Sequence, residues 1–157
     1  VAITLDEIDV RLLRELELDA DRPNVELARL VGLSPAATLN RVRRLKESGV
    51  IRRVSARLDS AAAGFTLQVY VMVTLARHDE AAERRFYQEI RALDQVIAAD
   101  TVAGETDALL MIIARDVAEL QLVLSRLSTR GGAQRLITLL RLGEIKPPSP
   151  LPLKATR

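Results

Sequence analysis

Apolar residues recur along this chain in two rhythms, helical before about residue 50 and strand-like from residue 67. Ile8, Leu12 and Leu16 fall on one face of a helix that Asp6 can cap and that runs to about Leu18. Asp21, Arg22 and Pro23 predict a turn, Asn24 a second N-cap, and Val25, Leu27, Ala28 and Val31 a short helix closed by Gly32. Leu33, Ser34 and Pro35 leave almost no room before a third helix, with Ser34 as its N-cap and Pro35 at its first helical position. Leu39, Val42 and Leu45 form the back of this helix, and Ala37, Asn40, Arg41 and Arg44 its front. Two short helices joined by so tight a turn, the second one basic, make a helix-turn-helix. Gly49 stops the third helix, and the imperfect alternation over 50–58 predicts a strand beside the helices, a wing.

Residues 59–66 form the expected linker, after which the period changes. Leu67, Val69, Val71, Val73 and Leu75 alternate with Gln68, Tyr70, Met72 and Thr74, which predicts a strand. A helix follows over 80–93, with Ala82, Phe86, Ile90 and Leu93 inward, then strands over 96–103 and 108–114 joined by the turn Gly104, Glu105, Thr106, Asp107. Asp116 caps a helix carrying Val117, Leu120, Leu124 and Leu127, and a last strand covers 136–142. The fold class is therefore α+β. A helical domain over 1–58 precedes a βαββαβ, ferredoxin-like domain over 67–145, in which both helices lie on one face of an antiparallel sheet. Tyr70 and Met72 belong to the other face, and ALLMIIA has no polar alternation, so that face needs a cover. A second copy of the chain, packed sheet to sheet, is the expected cover, with the N-terminal domain as the alternative. The tail, 146–157, carries Pro147, Pro148, Pro150 and Pro152, and is expected to be extended or disordered, disorder being the first expectation.

Composition narrows the function classes. The 157 residues include no Cys and a single histidine, His78, so disulfides, thiol chemistry and the usual structural zinc sets are excluded. No acid pair, nucleophile or metal cluster stands in a recognisable motif, and His78 reads as an exposed loop residue. Catalysis and bound metal are therefore not expected. With no apolar run long enough to span a bilayer, and an acidic amphipathic start unlike a signal peptide, the expected compartment is the cytoplasm, with no membrane partner.

Net charge is only +2, but it is unevenly laid out. Residues 34–57 hold seven Lys/Arg against Glu47, a local +6, directly after residues 1–33 at −4. Such a dipolar module suits one face turned to phosphates, and the expected partner is double-stranded DNA. Asn40 and Arg41 are the expected base readers, because Asn can pair with adenine and Arg with guanine in the major groove. Ala37 or the Thr38 methyl can meet a thymine methyl. Ser34, Arg43, Arg44, Arg52, Arg53 and Arg57 are assigned to phosphates, which position without specifying.

NVELARLVGLSPAATLNRVRRL, over 24–45, closely resembles the recognition segment of the Lrp/AsnC family of transcriptional regulators, also called feast/famine regulators. LDEIDVRLLRELELDAD before it, ESGVI after it and the later VAGETDALL resemble that family's other landmarks. The resemblance implies a winged helix-turn-helix domain joined to a domain that dimerises through its sheet and assembles to tetramers or octamers. It also implies a small effector, often an amino acid, bound between dimers, and no other cofactor. The chain departs from the family pattern in Arg53 and Val54 where a Gly-Tyr pair is common, in Glu105 where Asp or Asn is usual, and in Leu136 where a second Thr often stands. The implied effector residues are Gly104, Glu105, Thr106, Asp107 and Thr138. By itself GETD is an ordinary hairpin turn, although its N–H groups can hold a carboxylate and a nearby acid an ammonium. The readings kept open beside a ligand-switched regulator are an effector-independent architectural DNA binder of the same fold and a module whose basic helix binds acidic proteins.

Overall fold

The computed structural model describes residues 4–155, which fall into two compact units. One holds the chain through Arg57 together with the stretch from Lys146 onward; the other is Leu58–Ile145. The expected linker, 59–66, is thus counted with the second unit, and the expected tail with the first.

Three helices make the first unit: α1 (Glu7–Leu18), α2 (Asn24–Val31) and α3 (Pro35–Glu47). Asp6 caps α1 in a capping box, its carboxylate accepting from Asp9 N at 2.8 Å while Asp6 N donates to the Asp9 carboxylate at 3.3 Å. Leu12, Leu27 and Val31 form the centre of its core, with Ile8, Leu16, Leu33 and Val42 packed around them. Gly32 ends α2 at φ +74°, a left-handed turn that glycine adopts without a Cβ penalty, and α3 starts three residues later. Asn24 is the first residue of α2 instead of its cap; Pro23 takes the cap position, and Asn24 Nδ2 donates to Pro35 O at 2.8 Å, tying the starts of α2 and α3 together.

One expectation fails in this unit. No strand forms over 50–58, where the chain is irregular after Ile51 N donates to Leu45 O at 3.0 Å. A strand needs a neighbour for its N–H and C=O groups, and none of the described strands pairs with this stretch. The proline-rich tail, expected to be extended or disordered, lies along α1: Leu151 N donates to the Glu17 carboxylate at 3.1 Å and Arg14 Nη2 to Leu153 O at 3.0 Å. Arg14 and Glu17 share a face of α1, and prolines hold the segment extended beforehand, so few bonds suffice to seat it.

The second unit is an antiparallel sheet of β1 (Leu67–Leu75), β2 (Val96–Thr101), β3 (Ala108–Ala114) and β4 (Ala133–Leu140), ordered β2-β3-β1-β4, with α4 (Glu80–Arg91) and α5 (Val117–Thr129). This is the expected βαββαβ arrangement, with the last strand beginning at Ala133 and ending at Leu140. Val69, Val71 and Val73 of β1 join Leu110 and Ile112 of β3 under Phe86 of α4 and Leu127 of α5 in one buried core. The register puts Tyr70 opposite Met111 and Leu139, and Met72 opposite Leu109 and Ile137, on the other face. Their side chains are only half-buried or exposed, so the second sheet face is an apolar surface that no element of this unit covers.

Candidate functional site

The front of α3 is not the one its hydrophobic pattern predicts. Thr38 is fully buried (0% exposed) and its hydroxyl donates to Ser34 O at 3.0 Å, whereas Leu39 stands 48% exposed. Thr38, Arg41, Val42 and Leu45 make the inner stripe; Ala36, Leu39, Asn40 and Arg43, at helical spacing, make the outer one. A buried polar residue is stable where its groups find partners, which a count of apolar positions does not register. Thr38 is therefore removed from the expected thymine contacts. Ala37 is half-buried. Ser34 accepts from Ala37 N at 3.2 Å as the N-cap and remains exposed at the start of the helix.

Arg41, expected to reach a base edge, turns into the domain. Its Nη1 donates to Asp6 Oδ2 at 2.6 Å and to Asp9 Oδ1 at 3.0 Å. Arg44 Nη2 donates to the other oxygen of Asp9. The Asp6 carboxyl is held below its usual range, chiefly by the Asp9 N–H and then by Arg41, and the Arg41 guanidinium is pushed up by Asp6. Arg43, Lys46, Arg52 and Arg53 are exposed and make no ion pair among the described residues. Arg57 is exposed as well. The resulting surface is a row of Ala36, Leu39, Asn40 and Arg43 bordered by basic residues that lead out through 52–57.

In the second unit, Gly104 takes φ +147° in the turn between β2 and β3. Asp107 N donates to Val73 O at 2.8 Å, Thr106 Oγ1 donates to the same oxygen at 2.8 Å, and Leu75 N donates to Asp107 Oδ2 at 2.7 Å. The other oxygen, Oδ1, lies 3.1 Å from His78 Nε2. The Leu75 N–H, and after it His78, keep the Asp107 carboxyl below its usual range. His78 is exposed in its loop, as expected, and its ring reaches the turn. Its partner could have been found only from the register, which sets Ala108 against Val73 and so brings Asp107 to the exit of β1. Glu105 is exposed, and Thr138 faces Val71 on β4, separated from the turn by β1. A half-open cavity of about 270 Å³ lies between α4 and β2, lined by Phe86, Tyr87, Ile90, Arg91, Ala99 and Thr101 among others, but by none of the five expected effector residues. One chain thus does not gather those five into a pocket.

An AsnC-type helix-turn-helix domain model matches residues 5–46, and an Lrp/AsnC ligand binding domain model matches residues 68–151. The chain belongs to the Lrp/AsnC family. This Lrp/AsnC chain is 37% identical over 147 residues to a leucine-responsive regulatory protein of Rhizobium meliloti, covering 93% of the chain and 94% of that relative. It is 41% identical over 117 residues to the HTH-type transcriptional regulator AldR of Mycolicibacterium smegmatis, covering 74% and 68%. Its fold matches a transcriptional regulator of Neisseria meningitidis, solved as a complex with L-Met, at a TM-score of 0.88 and 31% identity over 95% of this chain and 97% of the other. The N-terminal unit of this Lrp/AsnC regulator is thus the family's helix-turn-helix, and its C-terminal unit the family's ligand-binding domain. Among the described residues no helix is long and apolar enough to cross a membrane.

Proposed function

We propose that this chain is a sequence-specific regulator of transcription in the cytoplasm, working by binding and not by catalysis, whose assembly or DNA binding is changed by an amino acid. The observation that carries the DNA reading is the outer stripe of α3, where exposed Asn40 and Arg43 flank exposed Leu39 on a helix that follows α2 through a single left-handed glycine. Asn40 reads an adenine and Arg43 holds an adjacent phosphate, while Ala36 and Leu39 supply apolar contact for thymine methyls. Ser34, Arg52, Arg53 and Arg57 anchor the backbone.

The uncovered apolar sheet face supports a homodimer, in which Tyr70, Met72, Leu109 and Met111 meet their counterparts. Two reading helices then address a near-palindromic site with half-sites about one helical turn, or a multiple of it, apart. Gly104, Glu105, Thr106 and Asp107 of one protomer and Thr138 of another complete the effector site; tetramers or octamers built from dimers are the assemblies that bring them together. The L-Met complex of the Neisseria relative supports an amino acid as the ligand. Enrichment of bound duplexes from a random library, repeated with and without the twenty amino acids, tests both halves. Enrichment of a two-fold symmetric sequence that shifts with one amino acid is expected. No enrichment defeats the DNA reading, and enrichment indifferent to every amino acid defeats the effector and favours the architectural alternative.

A further inference from the structure

Asp9 is an acid in the core of a basic module. It is 1% exposed, as deeply placed as the leucines around it, and gives Oδ1 to Arg41 and Oδ2 to Arg44. Asp6, half-exposed at the head of the same helix, accepts from the same Arg41 Nη1 at 2.6 Å. The four cations of α3 are Arg41, Arg43, Arg44 and Lys46, so this pair of acids engages two of them. A buried carboxylate left without its partners is strongly destabilising, which opposes release of both arginines to a ligand. Non-specific affinity for DNA grows with the number of phosphates that free cations neutralise, whatever the base sequence. Base reading, by contrast, depends on the outer stripe, which this engagement leaves untouched.

We propose that Asp9, assisted by Asp6, is a positioning residue that withholds the Arg41 and Arg44 guanidiniums from the phosphate backbone and so sets the ratio of specific to non-specific DNA binding. The inference rests on the DNA-binding reading above. It differs from a purely structural staple between α1 and α3 in what it predicts for salt dependence. A staple affects how much protein is folded; a withheld pair of charges affects how many counterions the folded protein displaces.

The full chain and its Asp9→Asn, Asp6→Asn and Arg44→Gln variants are titrated by fluorescence anisotropy over a series of KCl concentrations. The probes are a duplex enriched by the unmodified chain and a scrambled duplex of the same length. For Asp9→Asn the scrambled duplex binds tighter, on the order of tenfold at low salt, and the log–log salt slope steepens by about one to two. The specific-to-scrambled ratio falls accordingly. Asp6→Asn, which keeps an equally good N-cap, shifts both quantities the same way by less. Arg44→Gln leaves the slope of the unmodified chain unchanged, and in combination with Asp9→Asn takes back about one of the added slope. The proposal is overturned if Asp6→Asn and Asp9→Asn weaken both duplexes equally at an unchanged slope, or if Arg44→Gln alone lowers the slope by about one. Should Asp9→Asn melt, as circular dichroism would report, Asp6→Asn and Arg44→Gln decide alone. Failure of the unmodified chain to enrich any duplex removes the DNA reading itself, a result distinct from any change among variants.

Discussion

Single side chains decide most of what this protein is expected to do. Asn40 and Arg43 share the outer stripe of α3 but differ in role. Replacing Asn40 with Ala relaxes preference at one base position, worth about 1–3 kcal/mol of discrimination, while Arg43→Ala lowers affinity for all duplexes and reduces the salt slope by about 1. A selection experiment on each variant separates them, and equal losses on every sequence would remove Asn40 from the readers. Asp107 lends itself to a pH test. Its carboxyl is depressed in the folded chain, so the stability it contributes is complete above the ordinary carboxylate pKa and drains away as pH falls through the lower folded value. Hydrogen exchange at the Leu75 amide is therefore expected to lose protection below about pH 4. Protection that persists there would mean that the ladder, not the carboxylate, holds the turn.

At the level of elements, the turn between α2 and α3 governs whether the reading helix is presented at all. Gly32 sits at φ +74° with open space where a Cβ would stand, so the strain of Gly32→Ala is in the backbone and not in a clash. A left-handed conformation costs an L-residue about 1–2 kcal/mol. Thermal unfolding of the variant is expected to show a loss of that size in the helical unit, with the sheet unit's transition unmoved; an unchanged melt would show that the turn relaxes without strain. Three caps were legible beforehand, since Asp6, Ser34 and Asp116 stand before helical runs and each accepts from a backbone N–H in the first turn; Asp79 plays the same part at α4. The rotation of α3 was not. Leu39 looked like a core residue because it shares a spacing with Val42 and Leu45, but Asp9 waits inside for Arg41 and a carbonyl for Thr38.

The sheet unit leaves one of its faces open. Tyr70, Met72, Leu109 and Met111 form an apolar sheet surface that alternates with a fully buried one, and a surface of this kind marks an interaction site. Met72→Arg places a charge at its centre without touching the helix-packed core. Light scattering is expected to shift the variant to a smaller species, with its circular dichroism unaltered. An unchanged mass would move the interface elsewhere. In the proposed dimer the same substitution would also separate the two reading helices, so DNA affinity is expected to fall with it.

Period and cap chemistry along the chain determined the order of elements, the helix-turn-helix and the βαββαβ sheet, because these depend on which residues lie two, three or four positions apart. Charge layout determined which unit turns to DNA. Only the tertiary structure decided the rest: that Arg41 and Arg44 answer to a buried Asp9, that His78 closes on Asp107, that the proline-rich tail returns to α1, and that 50–58 is left without a strand partner. Each of these depends on a group far away in sequence that meets its charge or hydrogen-bonding need in space, and periodicity carries no record of such distances.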